Sequence, residues 1–361
     1  MKETAWNLLE GSCRCIPNLS DRSIVLWGAG RMGVNICEDI KSKTICQNIY
    51  FCDNDKRKWG KKYCGILVKS PDEVEKLSNP YVIVCVSQIY RTEINQQLDV
   101  LKLSHIGAFE YIFMSNKDHF FNVYNNLLAD KKSQKSFFAM IKCRITDNFI
   151  LTQSVFEENR HYAIPEFQNS VNEKSIFIDC GAFVGDSTEE YIKLNEGIFK
   201  KIYAFEPCKK QFNAMKIRVD RLKKEWALDD AQIELVQSAV GRKNETQYIS
   251  ISSAINGNYI TESNHSSEQI DTVSLDEFFR SKNLNEFVTI KADIEGQELN
   301  MLKGSQNIIK QYRPKLAICI YHNPQDFFEI PEYIHSLVPE YKMFVRHHSY
   351  NECETILYCC L

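Results

Sequence analysis

Short apolar runs recur along this chain, and stretches whose apolar positions repeat at helical spacing separate them. Between residues 23 and 112 the runs are "SIVLWG", "NIYFCDND" and "YVIVCVS". "RMGVNICEDIKSK" and "SPDEVEKL" read as helices among them, the second opening with a Ser cap and a Pro in its first turn. Residues 116 to 160 contain neither Gly nor Pro and read as helical. From 175 the alternation resumes with "IFIDC", "KIYAFEP", "IELVQSAV", "FVTIKAD", "KLAICIYH", "YKMFVRH" and "ETILYCC" as strands. Helices are predicted over 186–196, 208–226, 297–312 and 325–338. Such alternation implies an α/β fold with a parallel sheet and right-handed crossovers. The last two strands, joined by the polar "HSYNE", form an antiparallel hairpin at one edge. Residues 242 to 270, rich in Ser, Asn and Thr, read as a β-excursion or loop.

With 361 residues the chain has room for two domains, and we divide it at 1–115, 116–160 and 161–361. A formal net charge of −3 with no basic stripe argues against nucleic acid as a partner. No apolar run has the length of a membrane span, and the N-terminal "MKETAWNLLEGSCRC" lacks the apolar core of a signal peptide. Fourteen cysteines include no CxxC pair, and Cys85, Cys180, Cys319, Cys359 and Cys360 fall inside apolar strand-like runs. There they act as small hydrophobes, as expected in a reducing, cytoplasmic setting. Oligomeric state is left open.

Chemistry concentrates at "FIDCGAFVGDST". Asp179 ends a strand, Gly181 and Gly185 shape the turn, and Asp186 and Ser187 open a helix. In open α/β sheets ligands sit at the carboxyl ends of strands, and glycines let them approach the backbone. Asp179 could meet a ligand's amino end, and Glu206, ending the next strand in "AFEP", is placed for a ribose diol. An acid at the helix start disfavours a pyrophosphate, so the pattern suits S-adenosylmethionine better than a dinucleotide. Further on, "IKADIEGQEL" gathers Lys291, Asp293, Glu295 and Glu298 where a strand meets a helix, and His322 follows the next strand. Glu298 also reads as a mere first-turn acid favoured by the helix dipole. Asp293 or His322 could accept a proton, with Lys291 or Glu295 orienting an acceptor. The pattern requires no metal; the set that could offer a cation two carboxylates and an imidazole is Asp293, Glu295 and His322.

Together "FIDCGAFVGDST", "YAFEP", "SAVG", "TVSLDEF", "IKADIEGQELNMLKGS" and "PKLAICIYHNPQDFFEIPEYI" resemble the FkbM-type methyltransferases, over about residues 160 to 361. The resemblance implies a class I methyltransferase sheet of seven mostly parallel strands, S-adenosylmethionine as cofactor, and O-methylation of a hydroxyl on a saccharide or related small molecule. It also implies that Asp179, Gly181 and Gly185 line the methionine side, Glu206 the ribose, and Ser238 and Ala239 the adenine. Asp293, Glu295 and Gly296 would lie near the acceptor. The family turn usually reads D-x-G-A-N-x-G, and Phe183 occupies the Asn position here.

"WGAGRMG" sets Gly28, Gly30 and Gly33 between a strand and a helix, with Asp53 ending the next strand. That is the pattern of one mononucleotide-binding half of a Rossmann fold. "FCDNDKRKWGKKYCGILVKSPDEV" resembles small Rossmann-like domains attached to sugar-modifying enzymes, which implies a nucleotide or nucleotide-sugar as ligand. Two other functions stay open: an NAD-dependent oxidoreductase using this first turn, and a non-catalytic sugar-nucleotide-binding protein.

Overall fold

The computed structural model describes residues 2–43, 48–168, 172–250, 259–261, 267–282, 284 and 287–361. The chain divides into two compact units, residues 1–121 with 140–151, and residues 122–139 with 152–361. The segment expected as a linker is therefore shared between both units. Its helices include Lys117–Asn122, Lys131–Thr146 and Ile150–Gln153, with a π-turn at Val123–Leu127.

The first unit is built on a six-stranded sheet. Its strands are β1 (Ser23–Trp27), β2 (Ile49–Cys52), β3 (Lys62–Tyr63), β4 (Ile66–Lys69), β5 (Pro80–Val84) and β6 (His105–Gly107). They lie in the order β3-β4-β2-β1-β5-β6, parallel except for β3. All five residues of β1 are buried, as a central strand covered on both faces requires. Val25, Trp27, Val82, Val84, Ile94 and Leu98 share one core.

The second unit carries a seven-stranded sheet. Its strands are β7 (Ile176–Cys180), β8 (Lys201–Phe205), β9 (Ile233–Val236), β14 (Val288–Ala292), β15 (Lys315–Cys319), β16 (Lys342–His347) and β17 (Thr355–Cys360). The order is β16-β17-β15-β14-β7-β8-β9, with only β17 antiparallel to its neighbours. The C-terminal hairpin thus lies at one edge. The helices Asp186–Leu194 and Lys209–Glu225 pack on one face of this sheet, burying Ile192, Met215, Val219 and Leu222 with Phe177 and Ile202. Phe177 stacks on Tyr191 with ring centroids 4.2 Å apart, a pair worth about 1 kcal/mol beyond its buried area. Ile164, Phe167, Phe344 and Tyr358 form a further core.

Between β9 and β14 a separate four-stranded sheet is inserted, made of β10 (Ala239–Val240), β11 (Glu245–Ser250), β12 (Tyr259–Thr261) and β13 (Ser267–Val273). "IELVQSAV", expected as one strand, is split between the two sheets. Ser238 sits at the break, and its hydroxyl donates to the Asp271 carbonyl at 2.8 Å, tying the chain to β13. The β-excursion expected at 242–270 is seen in β11, β12 and part of β13, while 251–258 and 262–266 lie outside the described residues. Thirteen cysteines are described, and all are free thiols. Among the described residues no helix is long and apolar enough to cross a membrane.

Candidate active site

Strand register decides which groups meet. Cys180 pairs with Phe205 on one side and with Ala292 on the other, and Phe205 pairs with Val236. The residues that follow these strand ends, Gly181, Glu206, Ser238 and Asp293, therefore share the carboxyl edge of the sheet. Gly181 (φ 78°) and Gly185 (φ 84°) are both left-handed, the region that glycine enters without steric cost. A Cβ on Gly181 would lie 1.9 Å from the Asp293 carbonyl, so β7 and β14 close on each other only because the side chain is absent.

Asp179 is turned into the fold. Its carboxylate is fully buried, takes the hydroxyls of Ser187 (2.6 Å) and Thr188 (2.8 Å) on Oδ2, and stands 3.1 Å from Lys291 Nζ through Oδ1. Lys291 Nζ also donates to the Gly181 carbonyl at 2.6 Å. Burial opposes the charge on Lys291, but Asp179 and then Asp293 outweigh it and hold the ammonium above its ordinary pKa. Asp179, expected at the cofactor's amino end, and Lys291, expected beside the acceptor, are thus bonded to each other and to the turn rather than directed to the open edge. Both groups, with Ser187, hold the glycine turn in shape from beneath. The reason is directional: a side chain ending a central strand points into one of the two covered faces.

Glu206 is placed differently. It is 6% exposed and accepts the N–H of Phe183 at 3.1 Å and of Cys208 at 2.8 Å. Burial pushes its carboxyl up to about 7, against the opposing effects of those two donors and of Lys291. Asp186 is exposed in the first turn of its helix. Ser238 and Ala239 are buried beside the Glu206 strand end, and the Ser238 hydroxyl is used within the fold.

On the other side of Asp293, three acids surround His322. Its Nδ1 is 3.0 Å from Glu298 Oε1, and its Nε2 is 3.4 Å from Asp293 Oδ1 and 3.8 Å from Glu295 Oε2. Burial would lower its basicity, but Glu298 and then Asp293 and Glu295 outweigh this and raise it to about 9. Facing these acids alone, the imidazole is held toward its charged form, which weakens His322 as the proton acceptor expected from sequence. Glu298 is fully buried, with one oxygen on the Ile294 N–H at 2.8 Å. Its first-turn position, which also suggested a simple dipole-favoured acid, conceals a carboxylate turned inward.

Four neighbours were not singled out from sequence. Tyr321 donates to Asp293 Oδ1 at 3.2 Å. Glu354 lies within electrostatic reach of Asp293, and its carboxyl is pushed up to about 7, by burial first. His161 Nδ1 is 3.9 Å from Glu354 Oε2, and its ring packs on His348 with centroids 4.6 Å apart. Burial lowers the basicity of His161, opposed by Asp293. Asp326 accepts the N–H of Asn323 at 2.8 Å beside Glu298. Tyr321 adjoins His322 in sequence and could have been found that way. Glu354 reads as the first residue of the last strand and His161 stands at a domain boundary, where no local pattern marks a site.

The first unit's turn has no comparable cluster. A Cβ on Gly28 (φ 119°) would meet Cys85 O at 2.5 Å, and one on Gly33 would meet Gly28 O at 2.3 Å, so both are packing glycines. Gly30 has open space around it. Asp53 takes the Ala29 N–H at 2.9 Å and pairs with Lys58 at 2.7 Å, while Lys58 donates to the Ala29 carbonyl. Asp53 is thus tied to the glycine loop rather than left open for a ribose.

A mostly parallel seven-stranded sheet with an antiparallel C-terminal hairpin and an acid-lined carboxyl edge is the architecture of a methyltransferase. Residues 179–351 match the model of the methyltransferase FkbM domain. Residues 20–106 match the C2185-like N-terminal domain. Among solved structures, methyltransferase FkbM from Methylobacillus flagellatus KT is 19% identical with a TM-score of 0.60, covering 99% of this chain and 98% of that one. The likeness of fold therefore runs through both units. An rRNA methylase from Streptococcus thermophilus is 16% identical with a TM-score of 0.33, over 53% of this chain and 87% of that one. A Streptococcus mutans structure described as a methyltransferase in complex with SAH is 12% identical with a TM-score of 0.31, over 53% and 90%. No curated protein matches the chain.

Proposed function

We propose that this chain is an S-adenosylmethionine-dependent O-methyltransferase acting on a hydroxyl of a saccharide or related metabolite. The observation that carries the reading is one sheet edge holding the Gly181–Gly185 turn, the buried Glu206 carboxylate and the Asp293–Glu295 pair. The cofactor would supply the methyl group on a cationic sulfonium. Glu206 fits its ribose, since a carboxylate already accepting two N–H groups still has lone pairs for a diol. The exposed Asp186 suits a cation better than a phosphate. Most of the catalysis is positioning, because displacement at the methyl carbon must be in line. Asp293 and Glu295, both partly exposed, are the carboxylates that can take the hydroxyl proton, and the Tyr321 hydroxyl orients Asp293. Lys291 and Asp179 act one layer below by fixing the turn. The free thiols support a reducing, cytoplasmic setting.

For the first unit we propose a nucleotide or nucleotide-sugar, on the open face of Gly30 where the helix Arg31–Ser42 begins with no acid in its first turn. Calorimetric titration of the full-length protein tests both readings. S-adenosylmethionine should bind with micromolar affinity, weakened at least tenfold by Glu206→Ala. Absence of binding to the wild type would overturn the methyltransferase reading. A UDP-sugar should bind separately and lose affinity in Gly30→Val.

A further inference from the structure

The acceptor side of the site carries more negative charge than methyl transfer requires. Asp293, Glu295 and Glu298 face one imidazole, and the buried Asp326 stands beside Glu298. One imidazole cannot partner three carboxylates, and buried charges without partners are costly. Hydrogen bonding leaves the cluster incomplete. His322 is 6% exposed, and neither ring nitrogen makes an aligned hydrogen bond among the described residues. The second oxygen of the fully buried Glu298 is likewise without a hydrogen-bond partner. Asp293, Glu298 and His322 each bring one ligand atom to within 4.8 Å of the other two. Ligands about 2.1 Å from a common ion stand roughly 3 to 4 Å apart. The 3.4 Å between His322 Nε2 and Asp293 Oδ1 already lies in that range.

We propose that Asp293, Glu298 and His322 bind a divalent cation of the Mg²⁺/Mn²⁺ type, which holds the acceptor hydroxyl at its open positions. Its catalytic part rests on the methyltransferase reading; the metal site itself does not. Two carboxylates and an imidazole favour such an ion, and three protein ligands leave coordination positions for an alcohol oxygen and water. The ion set differs from the one read in sequence, with Glu298 in the third place and Glu295 at the rim, 3.8 Å from His322 Nε2. Bound to the cation, the hydroxyl becomes more acidic and passes its proton to Glu295. The O–CH₃ bond then forms as the S–CH₃ bond breaks. Its electron pair stays on sulfur, which becomes a neutral thioether, and the cation is unchanged.

The test uses the full-length protein without cofactor, titrated with Mn²⁺ alone and followed by the electron paramagnetic resonance signal of the free ion. One Mn²⁺ should bind per chain, Mg²⁺ should compete, and Asp293→Asn and His322→Ala should each weaken binding at least tenfold. Asp230→Asn, at a fully exposed carboxylate, should leave it unchanged. Spin-echo modulation of the bound ion should show coupling to an imidazole nitrogen in the wild type, which needs no variant to fold. Stoichiometric binding without that nitrogen, equal affinity in His322→Ala, or no bound Mn²⁺ would each overturn the site. S-adenosylmethionine calorimetry reports on the other reading independently.

Discussion

Phe183 shows how one residue can work against its own backbone. It sits at φ 48°, in the left-handed region that Asn enters readily and a bulky side chain does not. Phe183 takes the position where the resembled family pattern has Asn, and the geometry supplies a reason for Asn there. The N–H of Phe183 must point to Glu206, and that orientation fixes the φ. Phe183→Asn should therefore stabilise the fold by about 1 kcal/mol, read as a higher denaturation midpoint. Unchanged stability would mean that packing of the half-buried ring offsets the strain. Glu206 itself makes affinity depend on pH. With its carboxyl at about 7, the ionised form that accepts a diol is the minority at pH 6 and the majority at pH 8. S-adenosylmethionine affinity should rise about tenfold over that range, and Glu206→Gln should flatten the profile. The same shift acts on folding with the opposite sense. From about pH 4.5 to 7 the folded chain holds a proton that the unfolded chain has released, so this group's contribution to stability falls as pH rises through that window.

At the level of elements, most strands were legible because a buried parallel strand is a short apolar run with little else to be. What sequence could not show is where backbones come close. The helix expected at 297–312 is two, Glu298–Lys303 and Gln306–Tyr312, broken where Gly304 passes the backbone of Gly241. A Cβ on Gly304 would lie 2.1 Å from the Gly241 carbonyl, a contact between residues far apart in the chain that no local periodicity reports. The site follows the same rule. Asp179, Glu206, Asp293 and His322 were readable because each ends a recognisable strand. That Asp179 and Lys291 point inward, and that Glu354 and His161 approach from elsewhere, depends on the sheet's faces and loop returns. The glycines give a direct test of this view. Gly181→Ala should destabilise the protein by about 3 kcal/mol or more, because the β7–β14 contact must open. Gly30→Ala, with nothing within 4 Å of its Cβ, should change stability by no more than about 1 kcal/mol in the same urea titration.

Across the whole molecule, two strand–glycine–helix turns differ in what surrounds them. In the first, the Asp53–Lys58 pair neutralises the acid at the strand end and ties it to the loop. In the second, four strand ends and a hairpin loop bring acids and imidazoles together. The second unit also ties its segments 130–139 and 152–166 to its hairpin through one fully buried cation. Arg346 on β16 reaches Asp130 at 2.7 Å, Glu166 at 2.9 Å, the Ser133 hydroxyl at 2.8 Å and Glu157 at 3.3 Å. Glu157 is itself buried, so removing the guanidinium strands a carboxylate that water reaches poorly, and Lys132 at 2.6 Å compensates only in part. Such a loss exceeds the worth of the pairs themselves, because the partner left behind must be desolvated without compensation. Arg346→Met should cost about 3 kcal/mol or more by urea denaturation. Combining it with Glu157→Gln should recover part of that loss, since the double variant no longer buries the unpaired charge. If the double variant is no more stable than Arg346→Met alone, the cost lies in packing, and Arg346 is not the electrostatic tie between these segments and the sheet.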